Sequence, residues 1–264
     1  MSVASAKPRA ETAPIGRMIS SQIGSVLTVY RRSPGFVAIS MGLPVMFFVF
    51  FGLPNVGKHF AGGANVGAFI LASLGTYAVS NVVVYNVGIG VATQRGRKFD
   101  LLQRATPLPA FVAILATVVG GLALSFISLI VLFIVAALGG VHMSAGNWIE
   151  LLLWLVIGCL PMLGMGLSIG YGASPNSAPA LASLLYLPIA FASGLFIPLS
   201  QLPDFVRSVA KYLPLYHEGQ LGWITVGAGD ESRLTAVLWV AGWSVALLAL
   251  AARAYRRDAQ RKFG

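Results

Sequence analysis

The sequence predicts an all-α integral membrane protein with six transmembrane helices, an N-terminal interfacial helix and both termini in the cytoplasm. Of its 264 residues 57% are hydrophobic and the mean hydropathy is +0.81, which leaves too little polar surface for a soluble domain of this length. Six apolar runs are long enough to cross a bilayer. The basic residues concentrate in alternate segments between those runs, as they do in multi-pass membrane proteins.

The first predicted element is an amphipathic helix within a cytoplasmic N-terminal region of residues 1–35. In IGRMISSQIGSVLTVYRR, which begins at Ile15, apolar residues recur at helical spacing, whereas Arg17, Ser20 and Ser21 lie on the opposite face. Such a helix either lies along the membrane interface or packs on protein, and the pattern fits both. Because no apolar core precedes it, we expect the first apolar run to be a retained anchor rather than a cleaved leader.

The six predicted spans form a transmembrane domain of residues 36–253, which a basic cytoplasmic tail of residues 254–264 follows. The second and third runs are long enough to tilt or to extend past the membrane. Only the turn sequence GASPNSAP separates the fourth run from the fifth. The spans are expected at Phe36–Leu53, Ala64–Ala92, Pro109–Leu138, Trp148–Tyr171, Ser177–Leu199 and Thr235–Arg253.

The distribution of charge predicts the orientation of these spans. With the N-terminus inside, the cytoplasmic segments hold 14 of the 18 Lys and Arg residues. Five of the eight acidic residues fall in the segments predicted outside or, as Glu150 does, at the outer end of a span. The net charge of +10 therefore reflects topology, and we do not expect nucleic acid as a partner.

No residue pattern predicts catalysis or metal binding. His59, His142 and His217 fall in predicted outside loops without metal-ligand spacing, and Cys159, the single cysteine, lies in an apolar run. The stretch GLPNVGKH, which ends at His59, resembles a nucleotide phosphate loop. It has His where magnesium binding needs Ser or Thr, and it follows a membrane span. We therefore expect no catalytic residue, metal or cofactor in this chain.

The predicted spans carry polar residues but no ionisable residue in their central portions. Ion-coupled transporters usually bury such a group near the midplane, so any energy for uphill transport would enter through another subunit. In the second span, four polar residues recur at every fourth position and form one stripe. They either bond to neighbouring helices or line a translocation path or a dimer interface. The stripe consists of Ser73, Tyr77, Asn81 and Tyr85.

Two segments between spans stand out. The first, residues 93–108, places four basic residues between two long apolar runs, although only 10% of the chain is charged. The second, residues 198–234, is predicted outside and begins with mixed apolar and turn residues around Phe205 and Val209. This composition predicts a short re-entrant or surface helix that closes the outer end of a path.

Three stretches carry a family resemblance. QRGRKFDLLQRATPLPAF, after the second span, resembles the E-R-E-x-G-T-x-E-x-L-x-x-T-P-L pattern of ABC-2 type transporter permeases. SGLFIPLSQLPDFVRSVAKYLPLYHEGQLGW is similar to that family's segment after the fifth span, and RRSPGFVAISMGLPVMFFVFFG to its entry into the first. The acidic residues of the first pattern are largely missing: Gln94, Lys98 and Gln103 stand in place of expected types, and Asp100 is the one carboxylate there.

The resemblance implies a permease subunit that pairs with itself or a close paralogue and with a separate ABC ATPase, which would bind ATP and Mg²⁺. It implies a bacterial plasma membrane, contact with membrane lipid and, by analogy with daunorubicin-type exporters, a lipophilic substrate. The segment after the second span would be a coupling helix that docks on the ATPase. Its docking residues would be Arg95, Arg97, Lys98, Phe99, Asp100, Leu101, Leu102 and Arg104. An ATP-independent facilitator or a structural membrane anchor is the alternative that the residues leave open.

Overall fold

The computed structural model describes residues 14–97 and 110–263, and this part of the chain contains helices and no β-strand. A π-helical turn, Phe48–Gly52, and a 3₁₀ turn, Leu53–Asn55, extend the second helix. A further 3₁₀ turn occupies Leu199–Gln201. The α-helices in chain order are α1 (Ile15–Arg32), α2 (Pro34–Phe47), α3 (Val66–Gly96), α4 (Ala110–Leu138), α5 (Ala145–Gly158), α6 (Leu160–Gly172), α7 (Ala178–Ala192), α8 (Asp204–Ala210), α9 (Pro214–Thr225) and α10 (Arg233–Phe263).

Four helical stretches in the described part are long and apolar enough to span a membrane, which confirms the prediction of an all-α membrane protein. Two shorter apolar helices, Gly42–Asn55 and Ala178–Ala192, occupy the first and fifth predicted spans. The 15 residues of α7 rise only about 22 Å, less than the roughly 30 Å of hydrocarbon. The count of six spans therefore stays a prediction. The four long stretches are Val66–Gly96, Ile114–Leu138, Ala145–Gly172 and Arg233–Gln260.

Helix α3 forms the centre of the bundle. Its most apolar stretch is 78% buried, whereas that of α10 is 22% buried. Helices α4, α6, α7 and α9 all pack on α3, and α10 packs mainly on α6. Helix α1 begins at the predicted residue and lies against α4, with Met18 and Ile19 half-buried and Arg17 exposed. Helix α3, which corresponds to the second predicted span, is thus the helix on which most of the others pack.

The predicted fourth span is two helices rather than one. Helix α5 ends at Gly158 and α6 begins at Leu160, with Cys159 between them and Pro161 in the first turn of α6. A proline there lacks the N–H that would continue the helical ladder, which accounts for the break. The interruption lies deep in the bundle, because Cys159 is fully buried.

The segment between α7 and α10 contains two helices. The short helix α8 agrees with the prediction of a surface helix, since Phe205 is 75% exposed and only Ala210 is buried. Helix α9 differs from it, because eleven of its twelve residues are buried. It packs against α3, α5 and α10, so the segment between α7 and α10 inserts a helix among the long helices.

Candidate translocation path and coupling region

The polar stripe of α3 faces α7 and α9 within the same chain. Ser73 accepts a hydrogen bond from the Trp223 indole N–H at 2.8 Å. The Tyr186 hydroxyl donates to the Tyr77 carbonyl at 2.9 Å, and the Tyr85 hydroxyl donates to Ser183 Oγ at 2.8 Å. These bonds join three helices, so at least part of the stripe bonds to neighbouring helices.

Asn81 makes the weakest polar contact of the stripe. Its Nδ2 lies 3.4 Å from the Tyr77 hydroxyl, at the limit of a hydrogen bond. The Tyr77 ring packs edge-on against Phe196, with 4.9 Å between ring centroids, and against Tyr186. Position 77 therefore connects the stripe to the loop that follows α7.

A cavity of about 900 Å³ lies beside this stripe. Helices α2, α3 and α7 and the loop after α7 enclose it, and Ser73 and Tyr77 form part of its wall. Pockets of about 300–1,000 Å³ accommodate drug-sized ligands, and an apolar lining favours apolar ones. Among the described residues, no charged side chain lines the cavity. Its aromatic wall consists of Phe47, Phe51, Phe60, Phe69, Tyr77, Phe191 and Phe196.

A second, smaller space of about 370 Å³ adjoins the first. Phe60, Phe69 and Pro198 line both spaces, and Trp223 and Asp230 line only the smaller one. The ring of Phe69 meets Phe60 edge-on at 5.5 Å and stacks on Trp223 at 5.2 Å. A cluster of three aromatic rings thus lies between the two spaces.

Glu218 reaches the interior of the bundle although it belongs to α9 and not to a spanning helix. Its carboxyl oxygens lie 2.6 and 2.7 Å from the Ser80 hydroxyl of α3, and its side chain is fully buried. Burial raises the pKa of the Glu218 carboxyl to about 8, and the hydrogen bond from Ser80 opposes this shift. No cationic side chain in the described part of the chain pairs with it.

Sequence reasoning missed this carboxyl because it considered only the central portions of the spans. The predicted spans do lack an ionisable residue in their central portions, but α9 supplies one to the interior of the bundle. The signal in the sequence was YHEG, which precedes a run of apolar and small residues. Residues 198–234 are predicted outside, whereas Glu218 within them is fully buried in the bundle.

His217, the neighbour of Glu218, points to a different part of the protein. Its ring nitrogens lie 2.8 Å from a Glu231 carboxylate oxygen and 2.8 Å from the Lys211 carbonyl oxygen. The imidazole also stacks on Trp239 at 4.9 Å. His217 and Glu218 therefore do not form a pair, and no group of metal-binding side chains occurs among the described residues.

The structure describes two of the eight predicted docking residues, both at the end of α3. Arg95 is half-buried and bonded within the chain, whereas Arg97 is exposed. The other six lie outside the described residues: Lys98, Phe99, Asp100, Leu101, Leu102 and Arg104.

Comparison with known proteins decides the family. A sequence model of the ABC-2 type transporter family matches residues 22–219, which is three quarters of the chain and extends from α1 into α9. The chain belongs to the ABC-2 type transporter family. It is also similar to YvfS of Bacillus subtilis (strain 168), which its name describes as a transport permease, with 27% identity over 202 residues. That alignment covers 76% of this chain and 82% of YvfS.

Membership in the ABC-2 family makes the chain a multi-pass membrane transport permease. Members of this family are membrane components of transporters and are not themselves catalytic. The wall of the large cavity, from Leu43 to Gln201, falls within the matched residues. The permease function thus rests on family membership.

Proposed function

We propose that this permease is the membrane-spanning subunit of an ATP-driven exporter, which forms the translocation path as a dimer and couples to a separate ABC ATPase. The cavity beside Ser73 and Tyr77 carries the proposal, because it offers a ligand-sized space between spanning helices. Tyr77 and Ser73 belong to the path, and Asn81 and Tyr85 continue it or form the contact between protomers. The second protomer is another copy of this chain or a close paralogue.

The energy enters from the partner, since the GLPNVGKH stretch lacks the Ser or Thr of a phosphate loop. In the structure this stretch follows an apolar helix through the 3₁₀ turn Leu53–Asn55, and residues 14–51 form no strand before it. ATP and Mg²⁺ belong to the ATPase. Residues 93–108 are the coupling segment, and its apolar side chains, including Leu101 and Leu102, anchor it in the ATPase.

The substrate class follows from the wall of the cavity. Aromatic rings dominate the wall, and its polar groups, such as Asn55 and Gln201, are uncharged. Such a wall favours a lipophilic molecule that carries aromatic or alkyl surface, and it penalises the burial of an anion. The adjoining outer space, which Asp230 borders, is the exit side of the path.

The proposed topology has six spans in a bacterial plasma membrane, with both termini in the cytoplasm. The C-terminal ends of α3, α6 and α10 lie at the same end of the bundle, as the bonds of Arg95 to Ala173 and Asp258 show. The end of α10 and the coupling segment thus share one side of the bundle, which is the cytoplasmic side in this proposal. Helix α1 lies on that side at the membrane interface, and residues 198–234 lie on the other.

A reconstitution experiment tests this function. The permease is co-expressed with each ABC ATPase encoded near it, purified, and placed in lipid vesicles with a neutral lipophilic dye. We expect one ATPase to co-purify and the dye to move only with ATP. The control complex carries a substitution of the Walker A lysine in the ATPase, which leaves the permease unchanged.

Two results would contradict the proposal in different ways. Dye movement by the permease alone, at the rate of the complex, would make it an ATP-independent facilitator. A permease that binds no ATPase and moves no dye would instead be a membrane anchor.

A further inference from the structure

Arg95 joins three helices at one end of the bundle. It lies in the last turn of α3, where its Nη1 donates hydrogen bonds to the carbonyl oxygens of Gly170, at 2.7 Å, and Ala173, at 3.1 Å. These carbonyls lie at the end of α6, where backbone acceptors lack helical partners. Its Nη2 forms an ion pair with Asp258 of α10. One guanidinium therefore links the end of α3 to the ends of both α6 and α10.

Aromatic rings surround this ion pair. The Arg95 guanidinium carbon lies 5.8 Å from the centre of the Tyr171 ring, and that ring meets Tyr255 of α10 edge-on at 5.2 Å. The side chains of Arg95 and Asp258 are only 20% and 13% exposed. Ion pairs shielded from water in this way are screened less by salt than exposed ones. The cluster thus differs from an ordinary surface salt bridge.

The backbone is tightly packed at the same place. A Cβ atom at Gly96 would lie 2.2 Å from Cγ of Pro175, which belongs to the turn between α6 and α7. Only glycine permits this approach without a shift of the turn. The last turn of α3 is therefore fixed to α6, to α10 and to the turn before α7.

Arg97 has a different environment, although it lies only two residues further along. It is exposed, while the Nε of Arg95 is buried and both of its Nη atoms bond within the chain. A guanidinium used in this way presents few donors to a partner protein. Two arginines that the family resemblance places in one docking site thus lie in different environments.

We propose that Arg95 is a positioning residue that transmits movement of the coupling segment to α6 and α10, rather than a contact to the ATPase. The coupling segment, residues 93–108, overlaps the last turn of α3, so a displacement of its remaining part acts first on Arg95 and Gly96. Asp258 and the carbonyls of α6 then carry the displacement into two membrane helices. This proposal rests on the proposed function, because it needs an ATPase that moves the segment.

The test compares Arg95→Gln with Arg97→Gln in the complex with the ATPase. Both variants remove one positive charge from the same short stretch, so they are matched. For Arg95→Gln we expect binding of the ATPase at the wild-type level, with about tenfold less dye exported per ATP hydrolysed. For Arg97→Gln we expect weaker binding of the ATPase and normal export per ATP in the complexes that form.

Two further variants separate transmission from mere folding. Asp258→Asn should reproduce the uncoupling of Arg95→Gln, and the double variant should be no worse than either single variant, because both remove the same ion pair. Hydrogen exchange on the permease alone should increase at the end of α10 and in the turn at Pro175 for Arg95→Gln, and stay unchanged for Arg97→Gln.

The outcomes distinguish the two proposals. Loss of ATPase binding in Arg95→Gln to the same extent as in Arg97→Gln would overturn the positioning role, and so would normal export per ATP in Arg95→Gln. Unchanged hydrogen exchange at α10 in Arg95→Gln would also overturn it. A wild-type permease that binds no ATPase would instead overturn the proposed function.

Discussion

Ser80 and Glu218 lie 138 positions apart in the chain, and one hydroxyl contacts both oxygens of the carboxyl group. Ser80 belongs to α3, the most buried of the four long apolar stretches, so the contact fixes α9 against the centre of the bundle. A Cβ atom at Gly158 would come within 2.9 Å of the Glu218 side chain, so α5 closes over the carboxyl from another direction. The pair thus adds to the hydrogen bond between Trp223 and Ser73 in joining α9 to α3.

This pair predicts a pH-dependent stability. The pKa of Glu218 in the folded protein is raised, from an ordinary value of 4.5 to about 8. The folded protein therefore retains this proton to a higher pH than the unfolded chain, and the free energy of unfolding falls as the pH rises from about 4.5 to about 8. Thermal unfolding of the detergent-solubilised permease should show a midpoint that decreases across this range.

Glu218→Gln should remove that dependence, because the amide keeps the shape and a hydrogen-bond acceptor without titrating. The control is Asp204→Asn, since the Asp204 side chain is 94% exposed. Its curve should follow that of the wild type. A wild-type midpoint that does not change between pH 5 and pH 8 would contradict the prediction.

A second prediction concerns the contact between α6 and α10. A Cβ atom at Gly164 would lie 2.8 Å from backbone atoms of Leu247 and Leu248, which cannot move as a flexible side chain can. Gly164→Ala should therefore lower the free energy of unfolding by about 1–3 kcal/mol through overpacking. Gly242→Ala is the control, because nothing lies within 4 Å of a Cβ there and alanine favours the helix. Equal stability of the two variants in an unfolding titration would contradict the prediction, because it would show that α6 and α10 accommodate the added methyl group without loss of stability.

The sequence predicted much of the helical order because a bilayer demands long apolar runs. The start of α1 at Ile15 and the end of α4 at Leu138 agree with the predicted positions. Hydropathy did not predict the break at Cys159, since the residues on both sides are equally apolar. The break depends on a local rule, the position of Pro161 in the first turn of α6.

The candidate site was harder to predict than the helices. Helical spacing placed Ser73, Tyr77 and Tyr85 on one face of α3, and the side chains of Ser73 and Tyr85 bond to α9 and α7 in the structure. It did not indicate the burial of Glu218, because α9 is short and mixes polar with apolar residues. Burial there depends on contacts with α3 and α5, distant in the chain, which no local pattern contains.

The cavity gives a third prediction, on export. Leu187 of α7 lines the cavity, whereas Leu184, one turn earlier on the same helix, is 70% exposed. Leu187→Trp should fill part of the space and reduce the rate of ATP-dependent dye export by about tenfold, without loss of the ATPase. Leu184→Trp makes the same change outside the cavity and should export normally. Similar export rates for both variants would show that this cavity is not part of the translocation path.

The fourth prediction concerns the proposed topology. Cys159 is buried and can be replaced by Ala to give a background without cysteine. Asp230→Cys and Arg97→Cys then introduce thiols at two exposed positions at opposite ends of the bundle. An impermeant maleimide applied to intact cells should label position 230 and not position 97, and both should react after the membrane is opened. Labelling of position 97 in intact cells would contradict the proposed orientation.

The last prediction concerns Leu101 and Leu102, which lie outside the described residues. If both side chains are apolar anchors in a groove on the ATPase, a carboxylate there would be buried without a partner, at a cost of roughly 2–7 kcal/mol. The double variant Leu101→Asp, Leu102→Asp should therefore lose the ATPase in a pull-down and lose export, while it inserts normally. Lys98→Gln and Arg104→Gln should each cost about 1 kcal/mol or less, because charges at the rim of a contact stay in water. Insertion should survive in all of these variants, since the other cytoplasmic segments keep their basic residues. If the double Asp variant binds the ATPase and exports at the wild-type level, the segment is only a connecting loop and does not dock on the ATPase.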